Sequence, residues 1–208
     1  VLEETTEESI RETVRWLDGC HFEHVRPIIT PRFTPSCTDE LMAALGKLAR
    51  ERELYVQSHL SENTREIDWV RELHPDCKQY WETYDKYGLW KDHTVMAHCV
   101  HSDQRERAAI RDAGVVVVHC ADSNVNICSG LCPVRQMVNE GLWVTLGSDT
   151  AGAAAYVQGH HHVHPHLQGT AGHGRLAPRF PDSAGGILSG YHGGPPVLRR
   201  GGRLCGGG

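Results

Sequence analysis

Four consecutive apolar runs in this chain each end on an ionisable side chain, and helix-like segments separate them. Residues 54–60 carry His59, followed by Ser61 and Glu62; residues 94–100 carry His98; residues 115–120 carry His119; residues 142–147 are followed by Asp149. The runs are short and mostly apolar rather than alternating, so they predict strands buried on both faces. A fifth run, 25–30, lies upstream. Amphipathic helices are predicted at 5–17, from Thr38 through Leu48, at 66–73, at 103–113 and at Val134–Asn139. Strands alternating with helices imply βαβ units and a parallel sheet. Parallel strands open all their carboxyl ends at one mouth, which is where such folds keep their catalytic side chains.

The grammar changes near residue 151. Residues 151–208 hold 15 of the 22 glycines and 7 of the 15 histidines, with no lysine, and show neither helical nor strand period. The expected organisation is therefore a domain at 1–155 and a disordered Gly/His-rich tail at 156–208. The His-rich run at 160–166 lacks a rigid frame and is not read as an enzyme site.

Composition excludes several functions. The net charge is −5 and no Lys/Arg block offers a phosphate-binding footprint, so no nucleic acid is expected as partner. No apolar run reaches the roughly 18 residues that span a bilayer. The acidic start (Glu3, Glu4, Glu7, Glu8) is the reverse of a secretory signal, which makes a cytoplasmic location the default. The eight cysteines contain no C-x-x-C and are expected to be reduced thiols.

Each strand-end residue has an ordinary explanation. A strand-end His is often a hydrogen-bonded structural residue, Asp149 could cap a helix, and Glu62 could favour a helix N-terminus. Their coincidence at four adjacent strand ends points instead to metal-assisted hydrolysis. Neutral imidazole and carboxylate suit Zn²⁺, which lowers the pKa of bound water to about 7. Glu62, three residues after His59, is placed to move a proton from nucleophile to leaving group. His21-Phe-Glu23 matches half of a different zinc-deaminase signature, but no P-C-x-x-C follows.

Thr30-Pro-Arg-Phe33, Ser58-His-Leu-Ser-Glu-Asn63, Met96-Ala-His-Cys99, His119-Cys-Ala-Asp-Ser-Asn124 and Gly147-Ser-Asp-Thr-Ala-Gly152 resemble, in order, segments of the guanine deaminases of the amidohydrolase superfamily. The resemblance spans roughly residues 5–155. It implies an α/β fold, a partial TIM-like (β/α)8 barrel with about five parallel strands. It also implies a zinc-dependent hydrolase, one Zn²⁺ per site, converting guanine to xanthine and ammonia in purine catabolism. His59 and Asp149 would be metal ligands and would also face substrate. Glu62, His98 and Asp149 would be catalytic. Arg32 would hydrogen-bond the guanine carbonyl and Phe33 would pack on the base. Taken alone, Arg32 reads as a surface ion pair and Phe33 as a core aromatic. His119 could orient the neighbouring loop through Asn124. A homodimer is the assembly the resemblance allows.

Two departures qualify this. No His-x-His precedes His59, and the sequence after about Tyr156 leaves the family pattern, as a reading-frame shift would produce. Two ligands hold zinc poorly and five strands cannot close an eight-stranded barrel, so the isolated chain is expected to be inactive or weak. The alternatives are a non-enzymatic truncated paralogue that associates with an intact subunit, and an aminohydrolase for another heterocycle.

Overall fold

A computed structural model describes residues 3–149 and the backbone of Arg199–Arg200 and Arg203–Leu204. Five strands form one sheet in the order β1 (Ile28–Ile29), β2 (Tyr55–Leu60), β3 (Thr94–His98), β4 (Val116–His119) and β5 (Trp143–Leu146). Every neighbouring pair is parallel, as the apolar runs predict. Among the described residues the sheet is open, with β1 and β5 at its edges.

All five expected helices form, four of them with a side-chain cap at the N-terminus. Thr5 opens α1 (Thr6–Gly19) in a capping box with Glu8, and Thr38 caps α2 (Asp39–Glu51) through Leu41 N–H. Asn63 and Glu66 make the same reciprocal box at α3 (Thr64–Leu73), two residues earlier than the apolar period alone suggests. Asp103 caps α5 (Gln104–Ala113), and Gly114 ends it at φ +70°. The last, α7, spans Val134–Asn139.

Three short elements escape the sequence pattern: a 3-10 turn at Thr34–Ser36, α4 (Glu82–Asp85) and α6 (Ala121–Asn126). None is long enough to show a period, and none has a side-chain cap. The first strand is also shorter than the 25–30 run. At β3 the backbone leaves the extended region at His98 (φ +72°) and Cys99 (φ +49°), which stops the strand before Val100.

Helices α2, α3 and α5 pack Met42, Leu45, Val70 and Ile110 against Val56, Met96 and Val117 of the sheet, with Tyr84 fully buried among them. All seven described cysteines are free thiols. Among the described residues no helix is long and apolar enough to cross a membrane. The expected tail at 156–208, with its His-rich run, lies outside the described residues, apart from the antiparallel pairing of Arg199–Arg200 with Arg203–Leu204.

Gly46 sets how closely α2 approaches the chain beyond α4: a Cβ there would stand 1.8 Å from the Tyr87 carbonyl oxygen. Gly19 has nothing within 4 Å of its virtual Cβ. Gly46→Ala should lower stability by about 1–3 kcal/mol through forced repacking, while Gly19→Ala should be near neutral. Urea unfolding midpoints of the two variants check this, and equal midpoints would contradict the packing account.

Candidate active site

The carboxyl ends of β2, β3 and β5 gather the expected residues. His59 lies in β2 opposite Ala97, and His98 closes β3 opposite Leu60. Their rings stack with centroids 5.0 Å apart. The His59 Nδ1 lies 2.6 Å from the Arg32 carbonyl oxygen, which assigns the ring proton to Nδ1 and leaves Nε2 unprotonated. Burial, then the neighbouring His98, push the His59 pKa down; the Arg32 carbonyl, Glu62 and Asp149 act in the opposite sense. His59 is therefore held as a neutral imidazole, the form a metal requires.

His98 is buried. Its Nδ1 lies 2.8 Å from Asn124 Oδ1 and 3.4 Å from Glu62 Oε1, and its Nε2 has no hydrogen-bond partner among the described residues. A buried ring nitrogen left over after the rest of a network is satisfied marks a place where a ligand or water belongs.

Glu62 follows Ser61, whose φ of +46° turns the chain out of β2. Ser61 Oγ donates to the buried Glu106 (2.7 Å), and Glu62 N–H donates to Glu66 Oε2 (3.0 Å). The α3 capping box thus fixes the backbone from which the Glu62 carboxylate reaches the mouth. That carboxylate accepts from Ser129 Oγ at 3.2 Å.

Asp149 follows Gly147, where a side chain would meet Val118 at 2.6 Å, so only glycine lets β5 lie this close to β4. Asp149 is itself at φ +55° and accepts from Ser123 Oγ of α6. Left-handed backbone at Ser61, His98 and Asp149, none of them glycine, marks three strand ends where the surrounding structure overrides local preference.

Arg32 and Phe33 stand on the segment after β1. Arg32 is exposed and makes no ion pair among the described residues; its guanidinium lies 5.8 Å from the Phe33 ring centroid. Phe33 is half-buried and meets His59 edge-on at 6.5 Å and Trp69 at 6.3 Å. His119 ends β4 and is buried, but the Oδ1 of Asn124 goes to His98 rather than to the His119 side expected from sequence.

Sequence reading gave no site role to Ser123, Ser129 and Tyr84, which touch Asp149, Glu62 and His59 respectively, and it paired Asn124 with His119, whereas Asn124 touches His98. Only the polar stretch Asp122-Ser-Asn124 beside a strand end hinted at them.

His59 and Asp149 have the donor chemistry of a zinc site, and the His59 Nδ1 bond supplies the outer support such ligands use. Among the described residues, no group of three or more His, Cys, Asp or Glu is arranged to hold a metal ion. The residues fit zinc as a two-donor part of a site.

The sequence profile of the Amidohydrolase family matches residues 1–175. The chain belongs to the amidohydrolase family. Its five parallel strands are part of that family's barrel. It is 42% identical over 156 residues to a guanine deaminase of Mus musculus, covering 74% of this chain and 34% of the relative. A guanine deaminase from C. acetobutylicum, solved with guanine in its active site, shares 47% identity at a TM-score of 0.70, over 73% of this chain and 37% of that one. An atrazine chlorohydrolase from Arthrobacter aurescens, complexed with zinc, shares the fold (TM-score 0.64, 22% identity, 70% of this chain and 32% of that one). The chain spans about a third of the length of the curated guanine deaminases it matches.

Asn124 holds His98 by a buried bond, so Asn124→Ala should destabilise the fold by about 1–3 kcal/mol, the cost of leaving a buried polar group unpaired. Chemical denaturation reads this directly, and an unchanged midpoint would remove Asn124 from that role.

Proposed function

We propose that this chain carries the strand-end part of a guanine deaminase site, acting in purine catabolism: guanine and water give xanthine and ammonia. The observation that carries the reading is the link between two functions at one carbonyl. Arg32, the residue read as recognising the base, accepts the His59 Nδ1 bond on its own backbone oxygen at 2.6 Å. Recognition and metal ligation are thereby held in one rigid unit. The 47% identity to a guanine deaminase solved with guanine supports the substrate.

His59 and Asp149 would hold the zinc ion. When bound, zinc supplies Lewis-acid activation of water at neutral pH. Glu62 carries a proton to the purine ring and then to the departing amino group, which leaves as ammonia. Its partial burial and its Ser129 contact hold it within the mouth. His98, with its Nε2 unspent, faces the carbon under attack. The free guanidinium of Arg32 donates to the guanine carbonyl, and the half-buried Phe33 packs against the base. Asp149 accepts one of the two protons that the attacking water gives up and Glu62 takes the other; these two end on the ring nitrogen and the departing ammonia, which restores both carboxylates. The proposal includes a cytoplasmic location and a homodimer.

A second reading, association with an intact subunit, is favoured by the open sheet edges and by exposed Val125, Ile127 and Leu131 beyond β4. Co-purification of the chain with a full-length relative in a defined mixture distinguishes it.

Base recognition is tested by calorimetry on the zinc-supplemented chain. Arg32→Ala should weaken guanine binding at least tenfold and leave adenine, which lacks the carbonyl, unaffected. Tighter binding of adenine than guanine by the unaltered chain would sink the substrate assignment. Metal ligation is tested separately: His59→Ala and Asp149→Asn should each weaken zinc binding at least tenfold, and His119→Ala should not. An equal loss in all three would contradict the ligand set.

A further inference from the structure

The short α4 contributes a buried side chain that neither recognition nor proton transfer uses. The Tyr84 hydroxyl is completely enclosed and touches three groups at the mouth. It donates to the His59 carbonyl oxygen at 2.7 Å, accepts from Thr34 N–H at 3.3 Å and lies 2.9 Å from Ser58 Oγ. Ser58 Oγ in turn donates to the Arg32 carbonyl at 3.1 Å, the same oxygen that His59 Nδ1 approaches. The two hydroxyls have one proton each for three contacts, so the carbonyls of His59 and Arg32 and the Ser58–Tyr84 pair share two protons among them.

We propose that Tyr84 is a positioning residue: its hydroxyl sets where the Arg32–Phe33 segment stands relative to the His59 ring. Neither strand does this alone. Strand β1 is only two residues long and pairs with β2 at Ile28 and Ile29, so the ladder ends before Arg32. Beyond that point the hydrogen bonds that tie the recognition segment to β2, among the described residues, run through side chains: the Gln57–Thr30 pair, the two bonds to the Arg32 carbonyl and the Tyr84 bridge. Among the described residues, the phenol alone hydrogen-bonds both the residue after Phe33 and the backbone of His59. Burial pushes its pKa up to about 12, so the hydroxyl keeps its proton across the working range. Thr83, next to it on α4, bonds Thr34 Oγ1 at 2.8 Å and supplies an internal control, because that bond anchors the segment to α4 without touching His59.

The inference rests on the proposed roles of Arg32, Phe33 and His59 for its meaning, while its physical content is tested without substrate or metal. The experiment is amide hydrogen exchange and side-chain ¹⁵N spectra of the full 208-residue chain. In Tyr84→Phe, the Thr34 amide should exchange at least tenfold faster relative to amides of α5, and the His59 ring resonances should shift. Thr83→Val should leave the His59 resonances in place. If Tyr84→Phe does not fold, Ser58→Ala, which removes the bridge from the other side, should produce the same His59 shift. Unchanged His59 resonances in every folded bridge variant, or Thr34 acceleration no greater than that of α5, would overturn the proposal. Guanine titration of the unaltered chain is run alongside. Failure to bind guanine counts against the proposed function, whereas unchanged exchange counts against the role of Tyr84.

Discussion

Parallel pairing of β2, β3, β4 and β5 is the constraint on which the site depends. The register sets Leu60 against His98 and His119 against Leu146, so the four carboxyl ends finish at one level. Paired residues of a parallel ladder share a face of the sheet. Leu60 faces the core, so register alone would send His98 there. The left-handed backbone at His98 departs from the pleat and lets its ring lie on His59 instead. Strand pairing brings the residues near one another, and local strain at the strand ends aims them.

The side chains at the mouth are supported from outside it. Helix α6 lends Ser123 to Asp149 and Asn124 to His98, the capping box of α3 fixes Glu62, and α4 reaches His59 through Tyr84. These supporting groups are buried and mostly hydrogen-bonded, so each leaves little freedom to the residue it holds. Burial also keeps His59 neutral, against the pull of two nearby carboxylates. The mouth thus combines an uncharged nitrogen donor with acidic groups, the combination that suits a hydrolytic ion and a proton shuttle.

How much of this was legible beforehand followed from length. The parallel sense of the sheet and the four long helices came from apolar runs and caps extended enough to show a period. The α4, α6 and 34–36 segments carry neither a clear apolar period nor a side-chain cap, whereas the equally short α7 is marked by Gly141 just after it. Family resemblance pointed to Arg32 and Phe33, whereas isolated residues read by chemistry favoured an ion pair and a core aromatic. Among the described residues Arg32 has no ion-pair partner, and Phe33 stands at the edge of the His59 ring.

The sequence by itself determined which residues stand at strand ends, because apolar runs and the polar residue that stops each one are local properties. It also determined the family, through short ordered segments. Only the tertiary structure decided partners: that Asn124 serves His98 rather than His119, that one Arg32 carbonyl accepts from both Ser58 and His59, and that Tyr84 reaches Thr34, 50 residues before it, and His59, 25 residues before it. Hydrogen bonds of that kind depend on angles and distances of a few tenths of an ångström between side chains distant in sequence. Packing sets those, and no local pattern of residues records them.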